Sequence, residues 1–312
     1  MAKPVSQITL GIDVAKDVLV IADWDTGEIT TIANQAAEIH AWLDSLPGPV
    51  RMALEPTSHY HLLLADRAEA EGHQVYLINP RQLAYYREAV GQRHKSDPQD
   101  ALLLARYLAH EASTLRLYEP QSAAGRELWT LLTRRATTVE SCKRVRQSFK
   151  GTGIAIKALI SEYRKVLKRI DRRMEALIEE SGWQESYQHC LSIPGVGPSN
   201  AMALVTAFHR GAFSSQDAFI AYLGMDVRIR ESGTFRGKRK LSKKGPSELR
   251  RLLYCAAVAG RRHEPFARYR QRQLDKGLPK IAANCILARK IARVAFTLMS
   301  RQESYKMEAT AY

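Results

Sequence analysis

Four acidic residues are candidates for holding divalent metal ions beside a phosphodiester bond. Asp13 and Glu55 each end an apolar run that predicts a buried strand. Asp97 and Asp100 stand three residues apart, so on a helix they would share one face. A carboxylate at the carboxyl end of a strand lies at the sheet edge where α/β proteins place chemistry. We therefore expect these oxygens to bind two Mg²⁺ ions, with Mn²⁺ as the alternative metal.

A second candidate group lies far along the chain, in the glycine-punctuated and cation-rich segment 228–245. A hydroxyl in such a segment could attack a phosphodiester, because the cations would offset charge on the phosphorane. Residue chemistry alone does not separate Ser232 from Ser242, or from a loop that only binds a nucleic-acid backbone. The cations that we expect to contact nucleic acid are Arg228, Arg230, Arg236, Lys238, Arg239, Lys240, Lys243 and Lys244.

The charge of the chain is divided unevenly along its 312 residues, which carry a net charge of +15. Residues 1–115 contain 9 Lys/Arg and 15 Asp/Glu, a net of −6, whereas residues 116–312 have a net of +21. Solvated charged helix faces are the simplest explanation of this positive charge, but so basic a region favours DNA or RNA as a partner. The four scattered cysteines, and the lack of a signal peptide or a long apolar run, predict a cytoplasmic protein without a membrane partner.

The first region predicts an α/β domain. Its apolar runs predict strands at 8–12, 17–23, 28–33, 50–55 and 75–78. Three strands in hairpin order, followed by helix, strand, helix and strand, give the element order of the ribonuclease H-like fold. The predicted helices of this domain are 36–46, 58–71 and 98–110.

The middle region predicts two long helices. One helix spans about 120–150, and after the break at 151–153 apolar residues recur at spacings of four and three. That pattern is typical of a coiled coil, packed on itself or on a second subunit. The residues of this stripe are Ile156, Ile160, Tyr163, Leu167, Ile170, Met174 and Leu177.

A glycine-containing turn follows at 193–198, before an alanine-rich helix. It is similar to a helix-hairpin-helix motif, in which small residues let backbone amides approach a phosphate. Gly195 and Gly197 are the candidate nucleic-acid contacts there. The alternative is a plain glycine turn between two helices.

Nine short motifs, in order along nearly the whole chain, resemble the DEDD insertion-sequence transposases of the "one-ten" family and relatives of Piv invertase. One departure from the family pattern is Ser96, where the third motif more often has threonine; the hydroxyl is kept. A second is that Thr234 and Phe235 follow the serine motif, where small polar residues are commoner in the family. The motifs are residues 11–16, 54–57, 78–80, 95–101, 193–197, 222–224, 231–233, 242–245 and 249–252.

The resemblance implies three domains and a set of catalytic residues. The domains are a RuvC-like catalytic domain at 1–115, a coiled-coil linker at 116–185 and a mainly α-helical transposase domain at 186–312. Ser232 matches the family's nucleophilic serine. The family's four carboxylates correspond to Asp13, Glu55, Asp97 and Asp100.

The resemblance also implies partners that composition and spacing do not indicate. Family members are recombinases directed by a structured noncoding bridge RNA, which pairs with both target and donor DNA. They assemble as homo-oligomers, here expected to be a dimer or a tetramer, in which the acidic site of one subunit meets the serine of another.

Three alternative functions remain open at this point. A hydrolytic RuvC-like Holliday-junction nuclease would use the same acids with water as the nucleophile and would not need Ser232. An actin-like or sugar-kinase ATPase also begins with an Asp-ended strand and a hairpin, but residues 14–16 lack the glycine and hydroxyl that cradle phosphate in those enzymes. A non-enzymatic RNA-binding protein would follow from charge alone.

Overall fold

The computed structural model describes residues 8–92, 94, 96–229, 231–233, 235–237 and 239–306, with the backbone alone at 231, 235 and 236. Contacts between backbone atoms divide the chain into two compact units, one ending at Pro120 and one beginning at Gln121. Within the described ranges, every helix is too short or too polar to cross a membrane.

The first unit is built on a five-stranded mixed sheet of order β3-β2-β1-β4-β5. Its first three strands pair antiparallel, whereas β4 runs parallel to both β1 and β5. This arrangement confirms the mixed α/β domain that the apolar runs predict. The strands are β1 Thr9–Val14, β2 Val18–Asp23, β3 Ile29–Ala33, β4 Arg51–Leu54 and β5 Gln74–Leu77.

Among the described residues of this unit, four α-helices accompany the sheet, and one of them was not predicted. No helix is predicted between the strand at 75–78 and the helix at 98–110, yet Asn79 caps a helix, α3, that begins at Pro80. The Asn79 side chain accepts a hydrogen bond from the Arg81 backbone N–H at 2.9 Å, and Pro80 suits a first helical turn because it needs no donor. The helices are α1 Ala36–Asp44, α2 Leu62–Ala70, α3 Pro80–Ala89 and α4 Asp97–Glu111.

The closest packing in this unit is between α4 and β1. A Cβ atom added to Gly11 would lie 2.0 Å from the Ala101 carbonyl oxygen and 2.2 Å from the Ala105 backbone nitrogen. Only a glycine lets the helix backbone approach the strand so closely. Gly11 therefore sets the distance between α4 and the sheet.

The second unit begins with two long helices, α5 Ala123–Ser148 and α6 Lys157–Glu180. They pack antiparallel, since Arg135 donates to Asp171 at 2.6 Å while the earlier Glu127 accepts from the later Arg173 at 2.8 Å. The two long helices are confirmed as predicted. Their assignment as a coiled-coil linker stays a prediction.

The remainder of this unit is mainly helical around one core, as predicted. Helix α12 supplies many of the fully buried side chains of that core, including Leu287 and Ile291. Between α9 and α10 the described residues form the short strands β6 Val227–Arg228, β7 Glu231–Ser232, β8 Phe235–Arg236 and β9 Lys240–Leu241. The helices are α7 Gln184–Leu191, α8 Pro198–Phe208, α9 Gln216–Tyr222, α10 Ser247–Gly260, α11 Phe266–Asp275 and α12 Lys280–Arg301.

The close approach at Gly11 gives a stability prediction. We expect Gly11→Ala to lower the free energy of local opening of β1 and α4 by about 1–3 kcal/mol, because its methyl group would overlap the α4 backbone. Hydrogen–deuterium exchange of peptides from both elements measures this change. Gly48→Ala is the matched control, since a Cβ there meets nothing within 4 Å; it should stay within about 0.5 kcal/mol. Equal exchange in the two variants would contradict the close packing.

Candidate active site

Asp13 and Glu55 lie side by side at one edge of the first unit's sheet. Strands β1 and β4 run parallel with Ile12 opposite Leu54. The next residue is Asp13 in β1 and Glu55 directly after β4, so the two acids are neighbours. Neighbouring strands are about 4.8 Å apart. Both acidic residues are half-buried, and both stand at the carboxyl end of their strand, as predicted.

The direction of α4 brings its first turn to the same edge. Ala101 lies over Gly11, in the middle of β1. At the other end of α4, the His110 ring lies 5.6 Å from the Trp24 ring, and the Trp24 backbone N–H donates to the Thr9 carbonyl at the start of β1. The helix therefore runs antiparallel to β1, and its amino end lies toward the strand's carboxyl end.

The two strand carboxylates also share the face of the sheet that α4 covers. Alternate residues of a strand point to the same side, so Asp13 shares its face with Gly11, and Glu55 continues the face of Ala53. Gly11 touches the α4 backbone, and Ala53 packs in one apolar cluster with Leu104 of α4. Strand register and helix direction thus bring three segments to one place.

The two helical carboxylates differ in their environment. Asp97 is the first residue of α4 and is exposed, whereas Asp100 is 6% exposed. An Asp100 carboxylate oxygen accepts a hydrogen bond from a terminal nitrogen of Arg87 at 2.7 Å. Ser96 occupies the N-cap position of α4, although its side chain makes no capping hydrogen bond.

The four carboxylates fit a divalent cation by donor type but do not surround one point. In the part of the chain that the structure describes, no three Asp, Glu, His or Cys side chains are grouped closely enough to hold a metal ion. Their oxygens are hard ligands of the kind that Mg²⁺ prefers. Asp100 instead has a guanidinium as its counter-ion, so metal binding there would replace Arg87 as the partner.

Arg87 is the site residue that sequence reasoning missed. It lies on α3, the helix that was not predicted, 13 residues before Asp100 in the chain. The only local signal for its position was the helix start at Asn79 and Pro80. Its Nε atom is buried and has no hydrogen-bond partner among the described residues.

The candidate nucleophile lies on a β-hairpin in the second unit. No strand is predicted in this segment, but its described residues form two short antiparallel ladders. Val227–Arg228 pairs with Lys240–Leu241, and Glu231–Ser232 pairs with Phe235–Arg236 nearer the tip. Gly233 has φ +55°, which a tight hairpin turn requires and a side chain disfavours.

The structure distinguishes the two candidate serines. Ser232 is exposed near the hairpin tip. Ser242 is half-buried at the hairpin base, where its hydroxyl donates to the Asp226 carboxylate and accepts from the Lys244 backbone N–H at 3.3 Å. Ser242 is therefore engaged in holding the base together, whereas Ser232 is exposed. The role of Ser232 as the nucleophile stays a prediction.

Three motifs that are separate in sequence meet at this base. A Cβ atom on Gly245 would lie 2.2 Å from the Tyr222 carbonyl oxygen. The backbones of motifs 222–224 and 242–245 are therefore in contact. The Arg250 guanidinium donates to the carbonyls of Gly245 and Leu223. Burial lowers the Arg250 pKa from its usual value. These contacts fix the point from which the hairpin extends.

The predicted nucleic-acid contacts of this segment lie in exposed positions where the structure describes them. Arg230 and Lys238 lie outside the described residues, and the same holds for the Arg236 side chain. Those described as exposed are Arg228, Arg239, Lys240, Lys243 and Lys244.

The two predicted glycine contacts have different surroundings. Gly195 has φ +88°, and a Cβ there would lie 2.3 Å from the Gly260 backbone nitrogen, so this glycine permits a tight crossing with α10. Gly197 is the N-cap of α8, and a Cβ there would meet nothing within 4 Å. Contact of either glycine with nucleic acid stays a prediction.

Comparison with known proteins places these residues in matched regions. A transposase family profile, that of the IS110 transposases with a DEDD motif, matches residues 10–152, which include the four carboxylates. A second, the transposase IS116/IS110/IS902 family, matches residues 187–271, which include Ser232.

Three curated relatives resemble the chain over almost its full length. Pilin gene-inverting proteins of Moraxella bovis and Moraxella lacunata are 26% and 25% identical, and each comparison covers 96% of this chain and 98% of the relative. A probable family 20 transposase of Pseudomonas aeruginosa is 25% identical over 95% of this chain and 98% of its own length. The chain belongs to the IS110 family of transposases, enzymes that cut and rejoin DNA.

Proposed function

We propose that this chain is the recombinase of an insertion sequence, guided by a bridge RNA, and that it joins DNA through a covalent phosphoserine intermediate. The first unit would be a RuvC-like, ribonuclease H-like domain that supplies carboxylates. The second would supply the attacking hydroxyl. The exposed position of Ser232, beside a Ser242 that is already hydrogen-bonded, is the observation that supports this proposal most.

The carboxylates would hold the scissile phosphate through Mg²⁺, or Mn²⁺ in its place. When bound, the metal would act as a Lewis acid that offsets negative charge on the phosphate oxygens. Asp13 and Glu55 offer neighbouring oxygens at the sheet edge, and Asp97 and Asp100 approach from the first turn of α4.

Ser232 would make the first displacement. Its Oγ forms a bond to phosphorus as the bridging P–O bond breaks, the serine loses its proton, and the departing sugar oxygen gains one. After strand exchange, a free hydroxyl of the new partner strand displaces the serine in the reverse sense. One phosphodiester is lost and one is made, so no ATP is needed.

The relatives' names favour recombination over simple hydrolysis. Two of them are named for inverting a pilin gene, and inversion requires that cut ends be rejoined. We extend rejoining to this chain. A hydrolytic RuvC-like nuclease would cut with water and leave no ester to be resealed.

RNA guidance and assembly are proposed from family membership. The +21 charge of residues 116–312 suits more than one polyanionic partner, here the bridge RNA together with target and donor DNA. Pairing of the α5–α6 hairpin with another copy would give a dimer or tetramer, with the acids of one subunit serving the serine of another. The enzyme would act on DNA in the cytoplasm.

The covalent step predicts a specific loss in one variant. Ser232→Ala should abolish the protein–DNA adduct that denaturing gels detect with a labelled, nicked DNA substrate, because no ester can form. Ser300→Ala is the matched control, since Ser300 is an exposed serine of α12, and it should form adduct normally. Cleavage and joining by Ser232→Ala at the wild-type rate would instead favour water as the nucleophile.

The ion pair at Asp100 predicts opposite effects of two substitutions on metal binding. Arg87→Gln should tighten Mn²⁺ binding by about fivefold, or about 1 kcal/mol, because the metal no longer competes with a guanidinium. Asp100→Asn should weaken binding, because a ligand charge is lost. Electron paramagnetic resonance of free Mn²⁺ measures both without DNA.

Arg81→Gln is the control for the metal experiment. Arg81 is an exposed arginine of the same helix, so its substitution removes the same charge from a position outside the ion pair. Weaker Mn²⁺ binding in Arg87→Gln would mean that Arg87 positions Asp100 for the metal. Unchanged binding in Asp100→Asn would remove Asp100 from the ligand set.

RNA guidance predicts a bound transcript. RNA that copurifies with the protein should be enriched in one noncoding species that flanks the protein's own gene, with two loops complementary to the element's end and to its insertion site. Sequencing of RNA from the wild type, against RNA from a mock purification, measures the enrichment. Recovery of random cellular RNA would contradict guidance while leaving the serine chemistry intact.

A further inference from the structure

A groove of about 820 Å³ runs along one face of α12 in the second unit. One wall includes Tyr269 of α11, and another is the segment after α12, from Glu303 to Lys306. A third wall comes from Val227 and Leu241 of the strands that carry the serine hairpin. The groove is thus contiguous with the base of that hairpin.

The floor of the groove is strongly basic. Arg289 and Arg293 lie about one turn apart on α12, and Arg301 lines the same groove about two turns further on. Lys290 lies beside them, and among the residues that the structure describes the lining includes one acid, Glu303. A groove with this balance of charge attracts an extended anion.

Two of these arginines keep unused hydrogen-bonding capacity. The Nε atoms of Arg289 and Arg293 are buried and donate to no partner among the described residues. Arg293 does pair through a terminal nitrogen with Asp217, so its side chain is held in place while its Nε is not satisfied. Buried donors are nearly always paired in folded proteins, so these two point to an acceptor that a ligand would supply.

Aromatic rings line the same groove. Tyr269 and Tyr305 are both half-buried lining residues, and the Tyr305 ring lies 5.9 Å from that of Phe266. Cations interleaved with aromatic faces are typical of proteins that bind single strands, whose unpaired bases stack on the rings. Paired bases in a duplex would leave such rings unused.

The groove also leads toward the candidate nucleophile. Val227 lines it, and Ser232 is five residues further along the chain, at most about 17 Å away in an extended strand. Lys243, at the other end of the hairpin segment, is close enough for its charge to influence the pKa of Cys285, another lining residue. Burial raises the pKa of that thiol and the Lys243 charge partly offsets the rise.

We propose that this groove binds an unpaired stretch of the DNA strand that is to be attacked, with its phosphates on α12 and its bases against the tyrosines. The proposal rests on the proposed function, since it takes Ser232 as the attacking group. The shared walls of groove and hairpin favour DNA over the guide RNA as the occupant.

Binding of a fluorescein-labelled 20-nucleotide single-stranded DNA to the full-length Ser232→Ala protein tests the groove. Adding Arg289→Gln and Lys290→Gln should weaken binding at least tenfold. It should also reduce the slope of log affinity against log salt by about 1.4, since each lost phosphate contact on a single strand contributes about 0.7. Fluorescence anisotropy over a sodium chloride series measures both. Because cleavage is not needed, failure here is separate from failure of the serine mechanism.

The control removes two charges elsewhere in the same unit. Lys157→Gln with Arg164→Gln, both at exposed positions on α6, should leave the single-strand slope within about 0.3 of the parent value. Lys290→Gln alone should give half the slope change. Lys290 is exposed, so its substitution should have little effect on folding. Equal losses in the groove variant and the control would overturn the proposal.

Two further probes decide the kind of strand. A duplex of the same sequence should lose less affinity than the single strand in the groove variant. Single-stranded DNA carrying 5-iododeoxyuridine should crosslink on irradiation to Tyr269 or Tyr305, as read by mass spectrometry. If the variant loses affinity for a 20-nucleotide RNA but not for the DNA, the groove belongs to RNA and the proposal is wrong.

Discussion

The approach of α4 to β1 at Gly11 is the constraint on which the acidic site depends. A carboxylate at the end of β1 becomes useful only if other oxygens reach the same edge from outside the strand pair. Contact between the Ala101 carbonyl and the Gly11 backbone sets how far the first turn of α4 lies from the sheet. A larger residue at Gly11 would push Asp97 and Asp100 away together, because both belong to one rigid helix.

A buried carboxylate at this edge needs a cation, and the chain carries one. Asp100 is 6% exposed, and a charge so far from water is stable only when it is paired. Arg87 provides that partner from α3. We therefore expect the protein to fold with its acids in place whether or not metal is present, and metal to enter by exchange with a guanidinium. The same ion pair would weaken metal binding until a phosphate arrives, because a phosphate gives the released Arg87 a new acceptor.

The elements that sequence predicts best here are those with a strong local pattern. The five strands and the helix beginning near Asp97 follow from apolar runs and from a proline in the first turn. Arg87 did not follow, because α3 carries a weak apolar pattern with Leu83 as its one fully buried residue. Gly195 shows a different limit: its backbone conformation and its contact with Gly260 explain the glycine through packing, which the motif alone cannot separate from phosphate binding. Likewise, the Arg250 bonds that close the hairpin base join residues distant in sequence.

The division of charge along the chain follows from the chemistry we propose. Metal ions gather where carboxylates predominate, and the first unit's region carries a net of −6. Such a region repels phosphate unless metal is bound, so on its own it would hold DNA poorly. The second region, at +21, can hold the nucleic-acid backbone and stabilise charge as an oxygen attacks phosphorus. A serine placed among those cations has an advantage over water, because its ester keeps the broken strand attached to the protein until a partner strand displaces it. In the mechanism we propose, the Ser242 bond to Asp226 would hold the base of the hairpin fixed while the exposed Ser232 near the tip meets the phosphate.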